Sequence, residues 1–277
     1  MELVFLPFQL DFMQRAFLVT ALVALPMSLL SCFLVLRGWS LMGDAISHAV
    51  LPGIVVAYWF AIPLAIGAFL AGMLCALATG FVKDHSRIKE DTAMGIVFSG
   101  MFALGIVLYI WTPTDVHLDH ILFGDPLGIS WDDLWKTALL VLPITAVVLA
   151  ARRGLLVHAF DAQHARAIGL PTGWLHYGLL ALVSLTVVAA LQAVGIILAI
   201  AFLITPGAIA SLWVKRFGPM LVLACAVALV STLVGVYASF WLDSAPAPTT
   251  VLAMMIAFVG SLMVPGRERA TQQSQKA

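Results

Sequence analysis

Asp44 and His48, in the run LMGDAISHAVLPG, are the two residues of this chain whose types and spacing best suit a metal ion. Residues i and i+4 of an α-helix share one face and lie about 6 Å apart along the axis. A carboxylate oxygen and an imidazole nitrogen suit manganese, iron or zinc rather than magnesium alone. Two ligands are too few for a tight site, which favours a pair duplicated across a two-fold axis. The alternative is an Asp–His hydrogen bond that only fixes helix packing.

The composition of the chain places this pair in a membrane protein. Of the 277 residues, 62% are hydrophobic and 10% are charged, whereas a typical soluble domain has about 25% charged residues. A carboxylate at the centre of a bilayer costs about 2.5–3.5 kcal/mol, so such residues usually face a cavity or a partner and are functional. The formal net charge is zero, which gives no electrostatic reason to expect a nucleic-acid partner.

Apolar runs of about 20 residues, separated by polar breaks, predict an all-α polytopic membrane protein. We expect about nine transmembrane helices, and eight or ten are also possible because the second run is short and is interrupted by Pro52 and Gly53. The fifth run, residues 134–151, is expected to end before two arginines. No internal repeat is visible. The sequence therefore predicts one transmembrane domain, residues 1–264, followed by a polar cytoplasmic tail, residues 265–277.

The distribution of Lys and Arg predicts the orientation of these helices, because short cytoplasmic loops are enriched in both. With residues 83–91 in the cytoplasm, the N-terminus lies outside and the C-terminus lies inside. The other basic breaks then also lie inside, namely those at Arg37, Arg152, Arg153, Lys215, Arg216, Arg267 and Arg269. Arg15 is the exception, and its long side chain can extend to the interface. Counting along the second run places Asp44 nearer the inner face than the midplane.

Two prolines inside apolar runs mark candidate gates. Pro52 and Gly53 directly follow the Asp–His pair, and a proline inside a span frees a backbone carbonyl of the kind that transporters use at broken helices. An ordinary kink explains the same two residues equally well. Pro206 lies in a run that begins near Gln192, a lone polar residue at the outer end. Small residues in that run favour a packing and gating helix over a ligand helix.

The segment FDAQHARAIGLP predicts a short polar helix between two spans, on the basic side of the membrane. Asp161 and Arg166 belong to its polar part, and Phe160 is apolar. Gly169 is expected to end the helix. Such a helix can lie in the membrane interface or dock into a cytosolic partner, and a plain connecting loop is the alternative.

A long outer loop contains the run VHLDHILFGD, with His117, Asp119, His120 and Asp125. These side chains could gather a metal ion at the mouth of a transport path. A docking or plug loop held by ordinary hydrogen bonds is the favoured alternative.

Several chemistries are excluded by missing patterns. The sequence has no GxxxxGK[ST], so it does not bind ATP through a P-loop, and it has no HExxH of the zincin metalloproteases. No CxxC pair is present, so a zinc knuckle or a disulfide framework is not expected. The single cysteines lie in separate apolar runs, at Cys32, Cys75 and Cys225.

Five stretches, in this order, resemble the membrane permease subunits of the bacterial ABC-type manganese, zinc and iron importers. They are FLVLRGWSLMGDAISHAVLPG, IKEDTAMGIVFSGMFALG, HILFGDPLGIS, FDAQHARAIGLP and VGIILAIAFLITPGAIA. The resemblance covers nearly the whole chain. It implies the ABC importer permease fold, in the bacterial cytoplasmic membrane. It also implies a permease dimer, made with a second copy or a paralogue, a cytosolic ATPase pair and an extracytoplasmic metal-binding protein.

The resemblance also implies roles for particular residues. The intramembrane metal site of the family carries over onto Asp44 and His48. The helix that couples the permease to the ATPase carries over onto residues 160–170, centred on Ala165 and Gly169. The outer loop matches around His120 and Asp125, without a ligand role.

We therefore expect an ATP-driven importer subunit that translocates manganese, zinc or iron and has no permanently bound cofactor. ATP hydrolysis is expected in a separate chain, so this chain is not itself expected to be an enzyme. One alternative is an ATP-independent secondary metal transporter, which would not need the coupling helix. Another is an intramembrane metalloenzyme, which would need a third ligand and a general base that the sequence does not offer.

Overall fold

The computed structural model describes residues 2–112 and 124–263, without the side chains of residues 2–4 and 90. Within these ranges every element of regular structure is helical, which confirms the predicted all-α class. The predicted tail, residues 265–277, lies outside the described residues. The described helices are, in chain order, α1 Glu2–Gln9, α2 Asp11–Arg37, α3 Met42–Trp59, α4 Leu64–Asp84, α5 Glu90–Trp111, α6 Trp131–Phe160, α7 Ala162–Ala167, α8 Thr172–Val194, α9 Ile196–Trp213, α10 Phe217–Leu242 and α11 Pro246–Met263.

Eight of the described helices are long and apolar enough to cross a membrane, namely α2, α4, α5, α6, α8, α9, α10 and α11. The helix with the Asp–His pair, α3, has 18 residues but is not among the eight, because Asp44, His48 and Pro52 lower its mean hydropathy. With α3, the described chain has nine helices of at least 18 residues. This agrees with the nine runs that the sequence predicts.

Helix α3 is held by glycine contacts with its neighbours. A Cβ atom at Gly53 would overlap the carbonyl oxygen of Gly67 on α4, and the reverse is also true. On α5, a Cβ atom at Gly105 would lie 2.8 Å from Cδ of Pro52. At the start of α3, a Cβ atom at Gly43 would lie 2.6 Å from Cδ1 of Leu203 on α9. Small residues therefore let the backbones of α3 and its neighbours approach closely, as in other membrane helix bundles.

Helices α8 and α9 meet at a corner of one residue, Gly195, whose backbone angles are φ 81° and ψ 173°. This conformation is open essentially to glycine alone. Gly124, with φ 62°, lies so close to the corner that a Cβ atom there would overlap the backbone of Val194 and Gly195. The corner therefore joins two spans without a flexible loop.

Helix α6 is longer than the bilayer is thick. Its 30 residues extend about 45 Å, whereas the hydrocarbon core is about 30 Å thick. The expectation that the fifth span ends at Ala151 is wrong for the helix, which continues through Arg152 and Arg153 to Phe160. Arginine is a good helix former, so hydropathy marks where an apolar stretch ends rather than where the helix ends.

Arg15, the exception in the distribution of basic residues, has three polar contacts, one of them from its Nε to the carbonyl oxygen of Asp11 at 3.4 Å. Its Nη2 lies 3.1 Å from Oδ2 of Asp11, and its Nη1 donates to the carbonyl oxygen of Ile129 at 2.7 Å. The charge of Arg15 is thus paired, and the side chain fastens the segment before α6 to α2. Nearby, Phe8 of α1 stacks on Phe17 with ring centres 5.1 Å apart. Helix α1 was not among the nine predicted runs.

The substitution Gly67→Ala tests the contact between α3 and α4. The added methyl group would meet the backbone of Gly53, and overpacking of this kind costs about 1–3 kcal/mol. We expect the apparent Tm of the purified protein in detergent to fall by several degrees. The control is Gly80→Ala on the same helix, where a Cβ atom meets nothing within 4 Å. Equal melting of the two variants would contradict the contact.

Candidate functional site

The Asp–His pair lies on one face of α3, as the spacing predicts. Nε2 of His48 is 3.3 Å from Oδ1 of Asp44. The side chains of His48 and Asp44 are 27% and 29% exposed, whereas their neighbours Ala45, Ile46 and Ser47 are buried. The two side chains are therefore partly exposed, on the face of α3 that also carries Pro52 and its contact with Gly105 of α5.

His48 lies beside two aromatic rings of α5. Its ring centre is 5.2 Å from that of Phe102 and 6.1 Å from that of Phe98. Within the described part of the chain, its Nδ1 is buried and has no hydrogen-bond partner. The imidazole is thus held by ring packing and by Asp44, not by a network of hydrogen bonds. A pair that served only to fix helix packing would be expected to have its polar atoms satisfied.

The hydroxyl groups of Ser47 and Ser31 are committed to the backbone. Oγ of Ser47 donates to the carbonyl oxygen of Gly43 at 2.7 Å. Oγ of Ser31 donates to the carbonyl oxygen of Ile204 at 3.2 Å and accepts from the N–H of Gly207 at 2.8 Å. Among the described residues, no group of three or more His, Cys, Asp and Glu side chains could hold a metal ion. One described chain therefore offers two metal ligands, not a complete site.

Neither α3 nor α9 ends at the proline that marks a candidate gate within it. Helix α3 continues through Pro52 and Gly53 to Trp59, and α9 continues through Pro206 to Trp213. A proline removes one helical donor and need not end a helix whose neighbours hold it. Because Pro52 has no N–H, the carbonyl group of His48 lacks its usual helical donor, so a polar backbone group is freed beside the Asp–His pair.

Helix α9 is joined to α2 beside its proline. The N–H of Gly207, next to Pro206, donates to Oγ of Ser31. A Cβ atom at Gly207 would overlap this same hydroxyl oxygen, so the two helices touch there. The gating role of Pro206 stays a prediction, and the structure gives it a packing role.

Gln192 and Asp125, which the sequence presents far apart, both line a cavity of about 390 Å³ at the end of α8. Oδ1 of Asp125 accepts from the N–H of Gly128 at 2.9 Å, which agrees with a loop held by ordinary hydrogen bonds. His117, Asp119 and His120 lie outside the described residues, so their predicted roles stay predictions.

Two charged residues of the cavity, Asp133 and Lys136, were not selected from the sequence. Asp133 accepts from Oγ of Ser130 at 2.6 Å and from Nζ of Lys136 at 3.0 Å. The signal for Asp133 is the spacing of Ser130 and an acidic residue three positions later, which is typical of a helix N-terminus. Nothing in the local sequence indicates that Lys136 lies beside Gln192.

The short polar helix between two spans is present as α7, Ala162–Ala167. At its start, Oδ1 of Asp161 accepts from the N–H groups of His164 at 2.9 Å and Gln163 at 2.8 Å. These hydrogen bonds lower the pKa of the Asp161 carboxyl group, and the bond from His164 has the larger effect. The helix therefore has a charged N-cap of the preferred kind.

The end of α7 is fixed by a glycine. Gly169 has φ 81°, and its N–H donates to the carbonyl oxygen of Arg166 at 3.1 Å. The N–H of Leu170 donates to the carbonyl oxygen of Ala165 at 3.0 Å. This pair of bonds is the Schellman arrangement, in which glycine takes the left-handed position. The predicted end at Gly169 is therefore confirmed.

Helix α7 is anchored on one side and exposed on the other. Ala165 is buried, whereas Asp161 and Arg166 are exposed. Phe160 is 68% exposed and Ile168 is exposed as well. We call Phe160, Asp161, Arg166 and Ile168 the α7 ridge. Exposed apolar side chains beside charged ones are suited to binding a protein partner.

Comparison with known proteins gives a family match over most of the chain. Residues 9–265 match the model of the ABC 3 transport family. The chain is 53% identical to the chelated iron transport system membrane protein YfeD of Yersinia pestis, over 93% of this chain and 86% of that protein. It is 47% identical to the manganese transport system membrane protein MntB of a Synechocystis strain, over 91% and 83%.

A solved structure, that of PsaBC from Streptococcus pneumoniae in complex with Fab, has a similar fold. The similar chain superimposes with a TM-score of 0.86 at 34% identity, and the match covers 96% of each chain. The helical arrangement described above is therefore that of a known membrane protein.

The substitution Asp161→Ala tests the cap of α7. It removes the acceptor of two backbone N–H groups, so the amides of residues 163–168 should exchange with deuterium several-fold faster near neutral pH. The control, Asp161→Asn, keeps an acceptor oxygen and should exchange much as the unaltered chain. Because the folded pKa is lowered, the charge-dependent part of the cap is present above the unfolded pKa and is lost as the pH falls through the folded pKa. Exchange that is identical in the Ala and Asn variants would contradict the cap.

Proposed function

The chain belongs to the ABC 3 transport family, and from this membership we propose that it is the membrane permease of an ATP-driven importer for manganese or iron. The observation that carries the proposal is the Asp44–His48 pair on α3, whose side chains are partly exposed. The chain offers two ligands at that position, and its described part holds no group of three. A pore between two permeases, the second copy or a paralogue, would bring four ligands together.

The charge of such a site suits a divalent ion. Two ionised carboxylates supply two negative charges, and two neutral imidazoles supply nitrogen ligands. Charge balance lowers the cost of holding the ion in a region of low dielectric constant. Carboxylate oxygen and imidazole nitrogen also match the preferences of manganese and iron. Within the described chain, Nδ1 of His48 lacks the hydrogen bond that usually orients a metal-binding imidazole and raises its affinity. This supports a site that holds its ion briefly.

The surface around the pair supports contact with a second permease. Helix α5, which lies beside His48, is largely exposed along its length. Its outward side chains are apolar, including Ile96 and Leu104. A second permease on this face would cover the pair and exclude water from the ion. Lipid covers such a face equally well in terms of hydropathy, but lipid cannot supply the missing ligands.

The α7 ridge is proposed to dock into the cytosolic ATPase. The coupling assignment also includes Ala165, which is buried and anchors α7, and Gly169, which ends it. With Phe160, Asp161 and Arg166 of the ridge, it places the ends of α2 and α6 in the cytoplasm. The N-terminus is then outside and the C-terminus is inside. An extracytoplasmic metal-binding protein would deliver the ion at the opposite end, near the cavity of Asp125 and Gln192.

In this mechanism the chain moves its cargo and catalyses no reaction. The binding protein releases the ion at the outer end, and the paired carboxylates and imidazoles replace part of its hydration shell. ATP binding and hydrolysis in the partner shift the dimer between outward- and inward-open states through the ridge. The ion then leaves at the cytoplasmic end. Because a protonated imidazole cannot bind a metal ion, acidification should weaken binding at the site.

Asp44→Ala and His48→Ala test the metal site. Each variant removes one ligand type from both halves of a symmetric site, so uptake should fall at least about 10-fold, as for disruption of other metal sites. The measurement is uptake of radioactive manganese or iron into vesicles that contain the ATPase and the binding protein. Ser47→Ala is the control, because Ser47 lies between the two ligands and its hydroxyl bonds only to backbone. Normal uptake by both ligand variants would contradict the assignment of Asp44 and His48 as the metal site.

Phe160→Asp tests the docking ridge. A carboxylate placed among the apolar contacts of an interface weakens association, so less ATPase should co-purify with the permease. Phe60→Asp is the control, since Phe60 is 72% exposed and lies at the opposite end of the bundle. Uptake that persists without any ATPase would instead support a secondary carrier.

A further inference from the structure

A second polar cluster lies away from the metal ligands, where three helix ends meet. Its members are Arg37 at the end of α2, Trp39 in the α2–α3 link (residues 38–41), His158 near the end of α6 and His176 on α8. Cζ of Arg37 lies 3.9 Å from the centre of the Trp39 ring, and its Nη2 lies 3.3 Å from Nδ1 of His176. The His176 ring meets Trp39 at 5.5 Å and His158 at 6.0 Å between ring centres. The four side chains therefore form one continuous series of contacts.

The cluster lies between the two parts of the molecule that transport must connect. His158 and His176 belong to the two helices that flank α7, so both attachments of the ridge enter the cluster. Trp39 is buried, and the link in which it lies leads directly into α3, where Asp44 is in the first turn. A shift of α6 or α8 relative to α2 must therefore move or compress the side chains that precede the metal ligands.

His158 is the member that packing alone does not explain. It is 4% exposed, and within the described chain neither ring nitrogen has a hydrogen-bond partner. A buried polar group without a partner lowers stability, whereas a phenylalanine of similar shape would not carry this cost. A hydrogen bond that His158 makes only in a second conformation would explain why a polar residue lies there. A transporter must have two conformations.

A metal site at His158 and His176 is disfavoured by the same geometry. The guanidinium group of Arg37 contacts His176 and keeps its positive charge at all relevant pH values. A divalent cation would be repelled there. The positive charge of the cluster therefore argues against a second metal site and in favour of a structural role.

We propose that the cluster transmits the displacement of α7 to α3, with His158 as the positioning residue whose contacts differ between the two transport states. The proposal rests on the proposed function, since it needs an ATPase that acts on the ridge. It adds a route within this chain by which nucleotide-driven movement reaches Asp44 and His48. Rigid helix ends and packed side chains with two arrangements are the physical means of such coupling.

His158→Phe and Trp39→Leu, made in the permease–ATPase complex in vesicles, test the route. The first removes both ring nitrogens at nearly constant volume, and the second removes the aromatic partner of Arg37. Each should lower the number of metal ions transported per ATP hydrolysed by about 2- to 30-fold, with ATPase co-purification unchanged. His158→Gln, which keeps a polar group near the position of Nε2, should recover part of the ratio. The double variant should lose no more than the worse single variant, because both act on one route.

The control is Thr232→Val on α10, outside the cluster, which removes a buried hydroxyl group that has no hydrogen-bond partner among the described residues. Its transport ratio should stay at the level of the unaltered complex. Unchanged ratios in both cluster variants, or losses that simply add in the double variant, would overturn the proposal. If the unaltered complex itself shows no ATP-dependent uptake, the proposed function fails instead, so the two failures can be told apart.

Discussion

A carboxylate and an imidazole can lie on a membrane helix only if the rest of that helix is held by its neighbours. In α3 this is done by direct backbone approach, at Gly53 and Gly67 towards α4 and at Gly105 towards α5. Side chains of ordinary size at these positions would push the helices apart. Gly53 and Gly67 hold the side of α3 that lies away from the pair, whereas Gly105 lets α5 approach on the face of the pair, at Pro52. The position of the candidate site therefore follows from the packing of small residues.

Local sequence patterns predicted the helices well, because apolar length and polar breaks are local properties. The family resemblance is confirmed by the match over residues 9–265, and the Asp–His spacing does place the two side chains within 3.3 Å. The sequence did not predict that α6 continues beyond Ala151. Arginine marks the end of an apolar run, but it is a good helix former and does not end the helix. The proline at position 52 was expected to break α3, but tertiary contacts keep the helix continuous.

Contacts between distant parts of the chain were beyond sequence analysis. Arg37 and His176 are far apart in sequence, and neither lies in a pattern that indicates the other. The same holds for Gln192 and Lys136 at the cavity. His158 was not selected from the sequence. The structure places it against His176, and its ring nitrogens have no hydrogen-bond partner within the described part of the chain. Burial and partner count therefore identify candidate joints that residue type alone does not.

The corner at Gly195 has a consequence for how the bundle can move. A loop of several residues absorbs a small rotation of the helix before it, whereas the connection at Gly195 is one residue long and is packed directly against Gly124. A tilt of α8 at its α7 end is thus passed on to α9 at the far end. Since α9 is tied to α2 through Ser31 and Gly207, α8 and α9 behave as one bent lever whose arms join at the end of the bundle opposite α7.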